Sequence, residues 1–405
     1  MLLLTSVCVF LFSALSLCIG SGYSLGAVVL LLSSSCLLWK GPRLHLQLQR
    51  EDRLLIGALL AYCLIFVANM LYHADPGREF DMPLRALLVV PVLLLLLAYP
   101  PRAAAWWSGV AAGAIGGAAL ALWQFTVQDM LRPQGSTSNA IHYGNVSMLL
   151  AMLSLSGLEW ARVQPRKWAW IALLLAGCLA GVCGSVISGS RGGWIALPVC
   201  VLIIAVVNAR AHGKRYLAVT FAAMAMLVAI AWHLPHSPIR ERAAIAVTEV
   251  EKINDASNAT TSIGQRFEMW RTALLLSTGH PLLGIGRSGY MEEKRELAAS
   301  GKIGEMTRDY TNAHNDYLDA LVKRGAVGVL ALLGLFLVPL ALFAQALHHG
   351  PASARPFALA GVVLCTCYMI FGLTTSSLTL NIGIIMLVFP MAMLWAQLRH
   401  VQRRA

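Results

Sequence analysis

One histidine stands where a polar stretch turns into an apolar one, in the segment TRDYTNAHNDYLDALVKRG at residues 307–325. We expect Thr311 or Asn312 to cap a helix here, which places His314 in the first turn of that helix. The partial positive charge of a helix N-terminus disfavours the imidazolium, so His314 should be uncharged near neutral pH. A neutral imidazole can accept a proton, which makes His314 a candidate general base. The alternative is a histidine that only caps or packs.

Two arginine-containing motifs could bind phosphate. Arg191 lies in SVISGSRGGWIAL, where Ser190 and the neighbouring glycines would let a ligand approach the backbone closely. Arg266 and Arg271 lie in GQRFEMWRTAL, where Trp270 is one helical turn from Arg266. A guanidinium keeps its charge and can bind two phosphate oxygens at once. The alternative for each motif is an ordinary surface arginine.

Acidic residues form two clusters that could be considered for a metal ion. One cluster holds Asp75, Glu79 and Asp81, and the other pairs His314 with Asp316. Neither has the ligand spacing of a dedicated metal site. We therefore expect no metal ion and no other cofactor.

Twelve long apolar segments must position these residues. The chain has 405 residues, of which 58% are hydrophobic and 12% are charged, so it is not a soluble domain. Runs of about 18 apolar residues are long enough to cross a bilayer as helices. The first run lacks a basic n-region and a clear cleavage site, so we read it as a retained helix. The predicted spans are 3–20, 22–39, 54–72, 83–99, 103–126, 143–161, 168–188, 193–208, 216–234, 325–346, 357–374 and 380–398.

Lysine and arginine are concentrated on one side of these spans. If the N-terminus is cytoplasmic, the short outer connections hold only Arg78, Arg85, Arg132 and Arg191. The positive-inside rule then places both termini in the cytoplasm. The net charge of +12 is explained by this bias and by anionic lipid. The lipid bilayer is therefore an expected partner and nucleic acid is not.

The longest polar stretch, residues 236–323, falls on the outer side and has helical patterning. Ser262 could cap a helix that reads IGQRFEMWRTALLLSTG, with Pro281 beyond its end. PLLGIGRSGY supplies turn residues, and MEEKRELAAS is typical of a short, solvent-exposed helix. We divide the chain into membrane helices at 1–235, a loop subdomain at 236–323, and membrane helices with a basic tail at 324–405.

The order of these motifs resembles the signature of the O-antigen ligase and polymerase superfamily. Its members share an R-x-x-x-W-x-x-A helix, a P-x-x-G-x-G turn and an H-N-x-x-L helix start. The resemblance is strongest over about residues 185–335. The matching positions here are Arg266, Trp270 and Ala273, then Pro281, Gly284 and Gly286, and finally His314, Asn315 and Leu318.

The resemblance implies an all-α polytopic membrane protein, a GT-C-like glycosyltransferase with about twelve helices and one long, partly helical periplasmic loop. It also implies a Gram-negative inner membrane with the active site on the periplasmic side. Members take a glycan from undecaprenyl pyrophosphate, and the compact loop is most similar to ligases that pass O-antigen to lipid A-core. An O-antigen polymerase and a protein O-oligosaccharyltransferase stay open as alternatives.

The resemblance also implies roles for individual residues. His314 would act as general base on the acceptor hydroxyl, while Arg191 and Arg266 would stabilise the leaving pyrophosphate. Direct displacement would invert the anomeric configuration. Because the two arginines could stabilise the pyrophosphate in place of a metal ion, we expect a metal-independent reaction. A further candidate, His142 in NAIHYGN, sits at another outer helix start. The residues expected to bind substrate are Arg191, Arg266, Ser190, Trp270, Asn315, Arg271 and His142.

A transporter is the alternative outside enzymology. Transporters place ionisable residues near the bilayer midplane, often on broken helices in related halves. Here the predicted helix interiors are nearly free of charge, and no two-fold repeat is visible. These features favour an enzyme over a transporter.

Overall fold

Helices are the regular elements of the computed structural model over the residues that it describes, which are 1–38, 47–233, 240, 244 and 262–404. Short 3₁₀ turns occur at Gly77–Phe80, Ala352–Ala354 and Ser377–Thr379. The α-helices are α1 (Leu2–Ala14), α2 (Gly22–Ser34), α3 (Arg50–Tyr72), α4 (Asp81–Ala98), α5 (Ala103–Thr126), α6 (Ala140–Ser156), α7 (Leu158–Arg162), α8 (Lys167–Ser188), α9 (Arg191–His212), α10 (Lys214–His233), α11 (Ser262–Ser277), α12 (Gly286–Ala299), α13 (Glu305–Arg308), α14 (Asp316–His349), α15 (Arg355–Thr374) and α16 (Asn381–Gln402).

Within the described ranges, nine helical segments are long and apolar enough to cross a membrane. Each of them overlaps one of the twelve predicted spans. Helices α1 and α2 have 13 residues each, so each extends only about 20 Å against a hydrocarbon core of about 30 Å. Helix α10 overlaps the predicted span 216–234 but is not among the nine. An all-helical polytopic membrane protein is therefore supported, and the number twelve stays a prediction.

The centre of the bundle is made by α6, α15 and α16. Their most apolar windows are 89%, 72% and 94% buried, against 33% to 56% for the other six spans. Leu, Ile, Met, Ala and Phe side chains dominate these helices, since a helix that is apolar on all sides is stable only where other helices surround it. The first turn of α6 and the last turn of α15 carry polar residues, so both reach the polar end of the bundle.

Helix α14 begins before the predicted membrane span 325–346, but after the helix start predicted at Thr311 or Asn312, and it is broken. It starts at Asp316, and Gly325 interrupts it with the non-helical angles φ 62° and ψ −162°. The turn that starts at Pro281 packs into this break. The N–H of Ala326 donates to the carbonyl of Pro281 at 2.8 Å, and the N–H of Ile285 donates to the carbonyl of Val322 at 3.0 Å. The P-x-x-G-x-G turn therefore satisfies backbone groups that the break in the helix would leave free.

The helix predicted from MEEKRELAAS is longer than expected and is not a purely solvent-exposed one. It runs from Gly286 to Ala299 and buries one stripe that includes Arg287, Tyr290 and Lys294. Some of the buried residues are charged. Apolar periodicity therefore predicts, wrongly, that this face of the helix is exposed to solvent. The loop subdomain consequently has an interior of its own.

We expect Gly325→Ala to destabilise the fold. A methyl group at this position would collide with the carbonyl carbon of Leu282, and a left-handed φ costs alanine about 1–2 kcal/mol. The midpoint of thermal unfolding of the purified protein in detergent should fall by several degrees. Gly334→Ala, in the same helix, adds a methyl group that meets nothing within 4 Å, and its midpoint should stay or rise. Equal midpoints for the two variants would contradict this account of the break.

Candidate functional site

His314 lies directly before the N-cap of α14, and not in its first turn as predicted. The cap is Asn315, whose Oδ1 accepts hydrogen bonds at 3.0 Å from the N–H groups two and three residues further on. The predicted caps, Thr311 and Asn312, were wrong. The sequence TNAHN offers three residues of capping type, and only the tertiary structure selects among them.

The backbone at His314 is held in an unfavourable conformation. Its φ is +48°, in the left-handed region, which costs a residue other than glycine about 1–3 kcal/mol. The N–H of His314 donates to Oδ1 of Asn312 at 3.2 Å, which closes a short turn. Such a conformation persists only where the surroundings fix it, so the contacts around this loop are part of the site.

Two buried lysines hold the chain that leads to His314. Nζ of Lys294 donates to the carbonyl of Tyr310 at 2.8 Å, and Nζ of Lys323 donates to the carbonyl of Thr311 at 2.9 Å. They lie 5.1 Å and 5.6 Å from the centroid of the Tyr290 ring. Burial, with the charge of Lys323, lowers the pKa of Lys294 to about 8. Neither lysine was predicted as a site residue.

Two aspartates fix the start of α14. Asp319 pairs with Lys323 at 2.8 Å and accepts a hydrogen bond from the N–H of Ala313 at 3.0 Å. Asp316 accepts hydrogen bonds from the N–H groups of residues 377 and 378, at 3.1 Å and 3.2 Å. Both carboxylates are thus committed to holding the polypeptide chain. The hydrogen bonds of Asp316 give no support to a metal site shared by Asp316 and His314.

The His314 side chain lies in a setting that keeps it uncharged. The ring is half-buried, its Nδ1 is buried without a hydrogen-bond partner, and its edge meets the Tyr310 ring at 5.6 Å. Burial lowers the pKa of His314, the positive charges of Arg266 and Lys294 lower it further, and Asp319 opposes them. A neutral His314 was predicted from the helix dipole, whereas burial is its largest cause. The imidazole is therefore suited to accept a proton.

Two other predicted residues surround His314. Half-buried Arg266 on α11 and buried His142 in the first turn of α6 both lie close enough for their charges to interact with that of His314. Trp270, one turn after Arg266, stacks edge-on against Phe267 at 5.4 Å, and its Nε1 is buried without a hydrogen-bond partner. Three helices thus bring a possible proton acceptor and a fixed cation together.

Arg191 belongs to a second polar group at the start of α9. Gly189 ends α8 with a left-handed φ of 68°, and Ser190 Oγ then donates to Oδ1 of Asn145 at 2.8 Å. Nδ2 of Asn145 is buried and has no hydrogen-bond partner in the structure. A helix N-terminus with an adjacent guanidinium is suited to bind an anion. Asn145 was missed because it lies inside a predicted membrane span, and only His142 was considered in the motif NAIHYGN that it closes.

The end of α15 connects these two groups. Nδ2 of Asn315 donates to the carbonyl of Leu373 at 3.2 Å. The next residue is Thr374, and it lies close to Gly192. A Cβ atom added at Gly192 would collide with the Thr374 hydroxyl. The starts of α6, α9 and α14 therefore meet at one end of the bundle around the end of α15.

Arg271 is placed apart from these groups. It is exposed on α11, five residues after Arg266, and no hydrogen bond or ion pair that the structure describes joins it to His314. Its predicted contact with substrate stays a prediction.

The acidic cluster before α4 serves other contacts. Asp75 accepts a hydrogen bond from the N–H of Arg287 at 2.8 Å, and Glu79 forms an ion pair with the same arginine. Asp81 pairs with Arg85 at 2.7 Å. In the part of the chain that the structure describes, no three His, Cys, Asp or Glu side chains are grouped as metal ligands would be.

Comparison with known proteins supports the resemblance seen in the motifs. A family model described as O-antigen ligase matches residues 175–333, which contain Arg191, Arg266 and His314. The match confirms similarity to the O-antigen ligase family over this segment, and it supports a transferase of the ligase or polymerase type. An uncharacterized protein of Haemophilus influenzae is 28% identical over 378 residues, which are 92% of this chain and 93% of that protein.

We expect Lys294→Met to loosen the loop that carries His314. The carbonyl of Tyr310 would lose its donor, at a cost of about 1–3 kcal/mol if it stays buried. Amide hydrogen exchange, measured by mass spectrometry, should become faster at residues 310–315. Lys302→Met removes an exposed lysine from the same subdomain and should leave this exchange unchanged. Unchanged protection in Lys294→Met would show that the lysine does not hold the loop.

Proposed function

We propose that this protein is an O-antigen ligase, which transfers a glycan from undecaprenyl pyrophosphate to a sugar of lipid A-core at the periplasmic face. The observation that carries the proposal is the half-buried, neutral His314 beside the fixed charge of Arg266. The family match over residues 175–333 supports the ligase or polymerase class to which this reaction belongs.

The leaving pyrophosphate needs positive charge that is in place before the bond breaks. In our proposal Arg191, with the N-terminus of α9, binds one part of the pyrophosphate and Arg266 binds another. Groups that are already oriented stabilise developing charge without the cost of reorganisation. Because guanidinium groups supply this charge, the proposed reaction uses no metal ion.

The acceptor hydroxyl needs a base. As its oxygen forms a bond to the anomeric carbon, the bond from that carbon to the pyrophosphate oxygen breaks, and His314 takes the hydroxyl proton. The products are the new glycoside, undecaprenyl pyrophosphate and a protonated His314, which then returns its proton to water. A single displacement inverts the anomeric configuration. General base catalysis is typically worth about 10²–10⁴ in rate.

The remaining predicted residues have supporting roles in this proposal. Trp270 offers a flat apolar surface to a sugar ring, and His142 offers a hydrogen bond beside His314. Asn315 acts by fixing the start of α14, and Ser190 acts by orienting Asn145. Arg271, exposed on α11, would contact the part of the glycan that extends into water.

The proposed setting is the inner membrane of a Gram-negative bacterium, with both termini in the cytoplasm. There the membrane retains the polyprenyl chain of the donor and the acyl chains of the acceptor, while the polar end of the bundle faces the periplasm. The lysine and arginine distribution along the sequence supports this orientation.

A deletion strain tests the proposed reaction. We expect its lipopolysaccharide to run on a gel as bare lipid A-core, with full-length polymer retained on undecaprenyl pyrophosphate. Lipid A-core that carries a single repeat would instead identify a polymerase. An unchanged lipopolysaccharide would reject both activities and leave protein glycosylation or transport.

Complementation of that strain tests the assigned residues. His314→Asn removes the base but keeps a residue that tolerates the left-handed backbone, so ligation should fall by about 10²–10⁴. Arg191→Lys keeps the charge but loses bidentate binding, so ligation should also fall. Arg308→Met, an exposed arginine of the outer subdomain, should complement fully. Wild-type ligation by His314→Asn, at equal expression, would disprove the base.

The pH dependence of transfer tests the pair of His314 and Arg266. Only neutral His314 can act as base, so the rate should fall below its pKa, which lies below the ordinary histidine value. Arg266→Gln removes a positive charge that lowers this pKa. The acidic limb of its rate profile should therefore move to higher pH, while that of Arg271→Gln, whatever its rate, should not move. If the acidic limb of Arg266→Gln did not move, the charge of Arg266 would not influence the pKa of His314.

A further inference from the structure

A polar cavity apart from the candidate site lies at the same end of the bundle, between α3, the turn at residues 77–80, α4 and α14. The space bounded by its lining atoms, including its open mouth, is about 610 Å³. Its apolar lining residues include Phe66, Met70, Met82 and Leu332. The residues assigned above to the donor pyrophosphate and to the base are not among its lining residues.

The carboxylates that line this cavity already have partners. Asp319 pairs with Lys323 at 2.8 Å, and Glu79 forms an ion pair with Arg287. Asp316 accepts hydrogen bonds from two backbone N–H groups after α15. The cavity therefore presents few unsatisfied acceptors, although three acidic residues border it.

Arg324 differs from its charged neighbours because the described residues offer it no hydrogen-bonded or ion-paired acceptor. The residue is only 6% exposed, and its guanidinium lies over the Phe66 ring, 4.4 Å from the centroid. Its Nε is buried and has no hydrogen-bond partner in the structure. Among the residues that the structure describes, no carboxylate lies within ion-pair distance of Arg324. A buried guanidinium in this state is stabilised by an anion that enters the cavity.

A second arginine stands at the mouth of the cavity. The side chain of Arg78 is 73% exposed, and its Nε lies 3.9 Å from Glu79, which Arg287 contacts more closely. An anion that approaches Arg324 from the open side therefore passes an exposed positive charge first. The apolar lining residues suit an alkyl chain, so both parts of an amphiphile have matching side chains in the cavity.

We propose that this cavity binds the phosphate group of a membrane amphiphile, with Arg324 on the phosphate and an acyl chain along Met70, Met82 and Leu332. Guanidinium binds phosphate through two parallel hydrogen bonds, and its planar face remains free to stack on an aromatic ring. The site does not depend on the proposed transfer reaction. The phosphate can come from a bilayer phospholipid or from a phosphorylated lipid A-core molecule.

Native mass spectrometry of the full-length protein, purified in detergent, tests the site. The probe is dioctanoyl phosphatidate, and its control is dioctanoylglycerol, which lacks the phosphate. Wild-type protein should bind the phosphatidate, while Arg324→Met should bind it at least tenfold more weakly. Arg308→Met removes an exposed arginine with its own acidic partners and should bind as the wild type does. Equal binding by the wild type and Arg324→Met would overturn the proposal, as would equal binding of the two lipids.

Two further measurements complete the test. Met82→Trp fills the cavity without a change of charge and should also weaken phosphatidate binding tenfold, with an unchanged unfolding midpoint; undiminished binding would overturn the proposed location. Lipid A-core with and without its phosphates then identifies the source. Arg324-dependent binding of phosphatidate alone indicates a bilayer lipid, and tighter binding of phosphorylated lipid A-core indicates the acceptor. Both results support the phosphate site, and neither requires that glycan transfer takes place.

Discussion

The structure of the polar end depends on the way in which a broken membrane helix satisfies its backbone. Backbone groups that lose their helical partners near a bilayer must be paired with other protein groups, because an unpaired polar group there is costly. At Gly325 the turn that begins at Pro281 supplies these partners. The nine helical residues before the break are thereby held above the span as a separate short helix. His314 stands at the beginning of that short helix, so its position follows from the pairing.

Buried charge is the second factor that shapes the polar end. The cost of burying each ionisable side chain is met in a different way. Lys294 and Lys323 are compensated by carbonyl groups and by Asp319, so they fix the loop and are not free to bind a ligand. His314 avoids the cost of burial by being neutral, which leaves its imidazole free to accept a proton. Of the two buried cations that line the cavity beside α3, only Arg324 has no described acceptor. This difference distinguishes the proposed binding group from Lys323, which holds the loop.

Much of this organisation could be predicted from the sequence. A membrane span requires a long apolar run, and few polar residues outside the spans remain as candidates for a site. His314, Arg266 and His142 were named from motifs, and the structure brings them together. A helix start was predicted a few residues too early, because TNAHN offers three residues of capping type. The membrane span was predicted only from residue 325, because DYLDALVKRG carries four charges. Lys294 was missed for a related reason, since glutamates and basic residues at helical spacing are typical of a solvated face. Arg191 was placed between two predicted spans, whereas it is the first residue of α9. Its neighbour Asn145 closes NAIHYGN, where only His142 was considered.

The contacts of Asn315 and Asp316 with residues 373–378 also bear on how the protein is made. A chain is synthesised from its N-terminus, so the turn at Pro281 can pair with α14 as soon as that helix has entered the membrane. The hydrogen bonds that fix the residues next to His314 must wait until α15 and the turn behind it have been inserted. A nascent chain stalled before α15 would therefore carry every motif that resembles the O-antigen ligase family, yet it would lack the hydrogen bonds that fix this loop. The arrangement around His314 can thus form only when the last helices of the bundle are in place.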